Sequence, residues 1–228
     1  MSAVNGKVLR CIAVLGLVSV SMRLIASDVD HLIPSHRQRE PQYYSLLSSL
    51  LGLTGFDCGR TIVVPAFEPE YSVSVYTRSG AGASTYGVTY VIAETNVWQR
   101  TNEGRDRTAV PKVRRFDAEI PEQTAHLLRE IWMGMLTGPQ RPRPTPTPRR
   151  EIVISDETSV ELSLQRWGSP MLFGEIDNIS VRPPGKKKQE LVRLSWLLVE
   201  YCKTNPKQRP AIVKRIDDKA NALLALLK

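Results

Sequence analysis

Hydrophobic and polar positions change their period along this chain, and the changes mark its elements. In residues 41–51, Tyr43, Tyr44, Leu46, Leu47, Leu50 and Leu51 recur at helical spacing behind Pro41, which predicts a helix ended by Gly52. Residues 61–64, Thr-Ile-Val-Val, are a short apolar run before Pro65. Residues 71–77 alternate strictly: Tyr71, Val73, Val75 and Thr77 face one way, and Ser72, Ser74 and Tyr76 the other. That is the signature of a half-buried strand. Residues 86–95 read as its antiparallel partner across a loop containing Gly80, Ala81 and Gly82. A phosphate cradle needs a helix after such a loop, and here a strand follows.

The second half repeats the theme. Residues 96–111 are polar around Trp98, and residues 113–120 form a candidate third strand carrying Arg114, Arg115, Asp117 and Glu119. Residues 121–136 make a strong helix, with Leu127, Leu128, Ile131, Trp132, Met135 and Leu136 on one side and Glu122 and Gln123 suiting the positive helix start. Residues 138–150 hold Pro139, Pro142, Pro144, Pro146 and Pro148 among Arg141, Arg143, Arg149 and Arg150, so they form an extended loop that divides the chain. Strand patterns return at 152–154, 159–167 and 171–176. A basic loop at 181–188 precedes a helix over 189–201, and an amphipathic helix over 211–227 follows Pro206 and Pro210.

Hairpin-connected strands with intervening helices predict an α+β domain: an antiparallel sheet from two strand groups with helices packed against it, plus an N-terminal and a C-terminal helix. Its expected bounds are 41–205, with 206–228 as an add-on helix and 22–40 as a mobile leader. Residues 1–21 read as a signal peptide, with Lys7 and Arg10 ahead of an apolar stretch and Ser19-Val20-Ser21 as the cleavage site; residue 26 or 27 is the alternative end. The apolar stretch is shorter than the roughly 20 residues of a spanning helix. Membrane contact is expected only through this segment where it stays uncleaved.

Export gives the cysteines meaning. Of the three, Cys11 leaves with the signal, and Cys58 and Cys202 remain in a disulfide-permissive compartment, so one intramolecular bond between them is expected. That bond would tie the entrance of the sheet to its last core helix.

A net charge of +8 invites a nucleic-acid reading, but the charged fraction of 24% is ordinary and both signs are spread along the chain. The basic loops lack the interleaved aromatics of a single-strand platform, so nucleic acid is not the expected partner. His31, His36 and His126 lack ligand spacing, so neither a metal nor a cofactor is predicted. No nucleophile elbow occurs, and His126 reads as a solvated residue beside Glu122, Arg129 and Glu130. Paired carboxylates would have to come from Glu68, Glu70, Glu94, Asp117, Glu161 and Glu175, which nothing in the sequence groups.

Residues 43–202, with the Tyr43-Tyr44 helix running to Cys58, the helix ending in Trp132 to Leu136 and the helix from Leu191 to Cys202, loosely resemble small exported bacterial proteins of unassigned function. Those proteins are built strand-strand-helix-strand-strand-helix, and the resemblance implies no activity. Pro183 to Lys188 stand where a tryptophan-containing segment is expected. The expected function is an exported, non-enzymatic domain, periplasmic or secreted, that binds a protein or an acidic envelope component. Trp98, Arg141, Arg143, Trp167, Lys186, Lys187 and Lys188 are the candidate binding residues. The alternatives are a small envelope hydrolase, using carboxylates or a serine with His126, and a structural accessory that self-associates through its C-terminal helix.

Overall fold

The computed structural model describes residues 30–33, 41–52, 57–78, 84–102, 111–138, 158–165, 168–176 and 185–228. Its elements in chain order are α1 (Pro41–Leu51), β1 (Gly59–Val64), β2 (Tyr71–Arg78), β3 (Thr85–Ala93), α2 (Val97–Asn102), β4 (Val113–Ile120), α3 (Glu122–Thr137), β5 (Ser159–Leu164), β6 (Leu172–Ile176), α4 (Lys186–Lys203) and α5 (Arg209–Leu227). The strands form one 6-stranded sheet in the order β4-β3-β2-β1-β5-β6, and every pair is antiparallel. This is the α+β class that the periodicity predicts.

The run at 61–64 belongs to the strand on which the sheet depends. β1 pairs with β2 on one side and β5 on the other, so it joins the two strand groups. Both its faces are covered, which is why it lacks the alternation that marks β2.

The two faces of the sheet bury different chemistry. One packs Val73, Val75, Val88, Ala118, Ile120, Val160 and Leu162 against α3, α4 and α5 in the main core. The other carries α1, whose Tyr43, Tyr44, Leu47 and Leu51 meet Ile62, Val91, Ala93 and Val97. α5 is no add-on. Ile212, Ile216, Ala220 and Leu223 are buried in the main core, and Thr124 of α3 donates to Asp217 at 2.7 Å.

Part of the expected leader is also built in. Leu32 and Ile33 are buried, and Ile33 exchanges backbone bonds of 2.9 and 2.8 Å with Glu175, so it caps the outer edge of β6. Gly174 leaves the space that Leu32 fills, since a Cβ there would lie 2.7 Å from its Cδ1. The Asp30 carboxylate accepts the Lys187 N–H at 2.9 Å, and this anionic partner allows α4 to begin at Lys186, earlier than the pattern suggests. The signal segment, the Pro/Arg loop at 138–150 and the strand pattern at 152–154 lie outside the described residues.

The expected disulfide is not formed. Cys58 and Cys202 are both free and buried. Cys58 precedes β1 and donates its N–H to Val75 of β2, whereas Cys202, at the far end of α4, lies by Tyr90 of β3. Those anchor points are two strands apart, roughly 10 Å by strand spacing alone, beyond the Cα separation that a disulfide spans. Even parity licensed a bond that the topology does not provide.

Burial pushes both thiols up, from 9.0 to about 12, with Asp57 adding to the effect at Cys58. A raised acid pKa stabilises the fold while the group is protonated. The contribution is therefore complete below about pH 9 and disappears as pH climbs toward 12. We expect stability to fall across that window by at most about 1.4 kcal/mol per pH unit for each thiol. Urea midpoints on both sides of pH 9 check it, with Cys58→Ala/Cys202→Ala flattening the slope. In the native protein neither thiol should alkylate, and mass spectrometry after unfolding should find both modified.

Candidate functional site

The short connection between β1 and β2 organises one end of the molecule. Pro65 stops β1, and the chain crosses through Phe67 to Glu70, whose carboxylate is fully buried. That carboxylate accepts the Tyr43 hydroxyl at 2.7 Å and the backbone N–H groups of Val97 and Trp98 at 2.6 and 3.0 Å. It thereby caps α2 and ties α1 to it. Asn96 adds a second clamp: its Oδ1 accepts the Gln99 N–H at 2.8 Å and its Nδ2 donates to the Glu68 carbonyl at 2.9 Å.

This framework presents aromatic surface. Among the described residues the large exposed hydrophobic side chains are Phe67 (58% exposed), Trp196 (54%), Trp98 (38%) and Val113 (38%). Each is tied to the same end. Phe67 is in the connection itself, Trp98 is held by Glu70 and packs edge-on against Tyr43 at 5.0 Å, and Val113 pairs with Ala93, whose N–H bonds Glu70. Trp196 of α4 lies by Tyr71, whose pKa burial raises and Trp196 lowers.

Of the candidate binding residues, Trp98 belongs to this end. Lys186 is exposed on the first turn of α4, Lys187 is half-buried, and Lys188 is buried with its ammonium donating to the His31 carbonyl at 3.2 Å. Along the helix Lys186 stands about 15 Å from Trp196, so the basic turn and the aromatic end are separate features. Arg141, Arg143 and Trp167 lie outside the described residues. Phe67 and Trp196 were missed by sequence reasoning, although Trp196 gave a signal. It stands on the helix side opposite the stripe of Leu191, Leu194, Leu198 and Cys202, where a tryptophan has no core to enter.

His126 occupies a shallow groove of about 480 Å³ lined by Glu122, Gln123, His126, Leu127 and Glu130, all from α3. Its Nε2 lies 3.2 Å from the Tyr86 hydroxyl and 3.4 Å from Glu122. Both partners approach the same ring nitrogen. A relay of nucleophile, base and orienting acid uses both nitrogens, so this is a surface cluster rather than a triad. Tyr86 is a poor nucleophile there: burial and Glu122 both raise its pKa.

The acids sort themselves by strand position. Glu161 and Glu175 stand directly opposite each other on β5 and β6, the facing arrangement that a two-carboxylate reaction requires, yet they are only 1% and 0% exposed. Arg60 is one diagonal step away on β1, with its Nε donating to Ser163 at 3.0 Å. This begins a polar row across the sheet through Ser74 and Thr89 to Asp117. Among the described residues, the buried Ser74 Oγ has no hydrogen-bond partner. Burial raises the pKa of Asp117, but hydrogen bonds from Arg115 and Thr89 outweigh it and hold the carboxyl below its usual range. The facing pair is sealed from solvent, whereas the row reaches the surface at Asp117. Among the described residues, no group of His, Cys, Asp and Glu is placed to hold a metal, and no helix is long and apolar enough to cross a membrane.

No family model, curated protein or solved structure matches the chain.

Proposed function

We propose that this is an exported, non-catalytic domain that docks a partner protein of the cell envelope through the aromatic end around Phe67, Trp98 and Trp196. The observation that supports this reading is the exposure of Phe67 and Trp98 on one hydrogen-bonded frame around Glu70, with the exposed Trp196 of α4 by the neighbouring Tyr71. Exposed Trp and Phe in a fixed setting are typical anchors of protein interfaces. The exposed Lys112 and Arg114 beside Val113, with Glu68 and Glu94, supply a polar rim of both signs, which suits a protein better than a uniformly acidic surface.

The test is site-specific photocrosslinking in the native envelope. A photoreactive residue at Phe67, Trp98 or Trp196 is expected to trap one and the same partner, and one at exposed Lys214 on α5 is expected to trap none. Phe67→Ser/Trp196→Ser should reduce capture at least tenfold while thermal unfolding stays close to wild type. Equal capture by the double variant, the same adduct from Lys214, or a mature chain that is never exported would overturn the reading. Recovery of envelope polysaccharide instead of protein would also count against it.

A further inference from the structure

The sheet has two edges, and they are finished differently. Ile33 pairs with the outside of β6, whereas among the described residues no strand pairs with the outside of β4. Which groups β4 presents there follows from its register. Glu94 N–H bonds the Lys112 carbonyl at 2.9 Å, so Lys112 and every second residue after it direct their backbone groups at β3. Val113, Arg115, Asp117 and Glu119 consequently direct theirs outward. Independent support comes from the Glu119 carbonyl, which accepts the Tyr201 hydroxyl instead of a β3 amide.

Side chains along this edge change sign at its middle. Lys112, Arg114 and Arg115 come before Phe116, and Asp117 and Glu119 come after it. Arg115, Asp117 and Glu119 are well exposed, at 48%, 41% and 77% of their side-chain surface. Charges on an edge strand ordinarily defend it against pairing. Here the change of sign makes the defence selective. An in-register parallel copy would oppose like charges along the edge, and an antiparallel copy centred on Arg115 or on Asp117 would oppose two like charges at its centre, although the Asp117 register also sets each Arg115 opposite Glu119. An antiparallel copy centred on Phe116 places each Arg115 opposite the other's Asp117 and each Val113 opposite Glu119.

We propose that β4 is a self-association edge, and that two copies of this chain join antiparallel about Phe116 into one continuous sheet. Each Arg115–Asp117 pair then exchanges both of its backbone bonds, and Tyr201 closes the ladder at Glu119. On the helix-covered face the two Phe116 rings meet beside Tyr90, on which Phe116 already stacks at 5.6 Å. The contact leaves the α5 apolar face inside its own domain, where it is buried.

Sedimentation velocity of the mature full chain from micromolar to millimolar concentration tests the proposal, with amide exchange as the residue-level readout. Wild type is expected to dimerise, with the dimer weakened by salt and the outward amides of Arg115 and Asp117 protected only in the dimer. Arg115→Asp and Asp117→Arg each oppose like charges across the two-fold, and each should weaken the dimer at least tenfold. Mixed together they restore both opposite-charge pairs, so a heterodimer should form. Arg115→Pro removes an outward N–H that β3 does not use and should leave a folded monomer. A wild type that stays monomeric throughout, a dimer indifferent to both charge reversals, or variants that fail to recombine while remaining folded by circular dichroism would each overturn it.

Discussion

Glu70→Ala will cost about 3–5 kcal/mol of stability, far more than the loss of one surface carboxylate. The side chain is fully buried and satisfies three donors at once: the Tyr43 hydroxyl and the N–H groups of Val97 and Trp98. Removing it strands those donors in a space that water reaches poorly, at about 1–3 kcal/mol each before relaxation. Glu70→Gln separates charge from geometry. Oε2 faces an N–H, and Oε1 faces both an N–H and a hydroxyl, so an amide NH₂ at either position meets a backbone donor. Only the Tyr43 hydroxyl can turn to accept. The amide variant should therefore lose roughly half as much as the alanine variant, about 1.5–2.5 kcal/mol. Urea unfolding of both variants reads the difference, and hydrogen exchange should show α2 opening first. Under the proposed function the same variants also weaken partner capture, because Trp98 is seated by the group removed.

Why this site was poorly legible in the sequence can be said residue by residue. Periodicity reports which way a side chain points from its own element, and on that ground α1, β2, β3, β4 and α3 were readable. β1 was not read as the central strand, because a strand buried on both faces lacks an alternating signature. Cys58 and Cys202 show the same limit: parity and compartment say whether a bond is permitted, whereas strand order decides whether the sulfurs meet. Glu70 was one of several acids along the chain. Its role depends on Tyr43 and Val97, which are 27 residues away in either direction, and only the fold brings them together. Trp196 is the instructive exception among the residues missed, since its position off the apolar stripe was a signal of exposure that needed no tertiary contact to read.

Gly59→Ala is expected to cost about as much as losing a core tryptophan, and for a related reason. Gly59 opens β1 at φ 125°, a conformation that residues with a Cβ rarely adopt. Forcing alanine into it costs on the order of 1–3 kcal/mol. A second cost comes from packing: a Cβ on Gly59 would lie 2.6 Å from the Trp132 ring, which is 2% exposed and donates its Nε1–H to the Arg60 carbonyl at 3.1 Å. Trp132 cannot retreat without giving up that bond, so overpacking adds roughly 1–3 kcal/mol. Trp132→Ala alone should cost about 3–5 kcal/mol, from the cavity and the lost indole hydrogen bond. Combining the two separates backbone from packing. In the Trp132→Ala background the ring is gone and Gly59→Ala retains only its φ cost, so the double variant should be more stable than the sum of the singles by about 1–3 kcal/mol. Denaturant unfolding of the four proteins measures that coupling. If Gly59→Ala cost the same with and without the ring, the indole would not be what reserves this position for glycine, and backbone conformation alone would account for it.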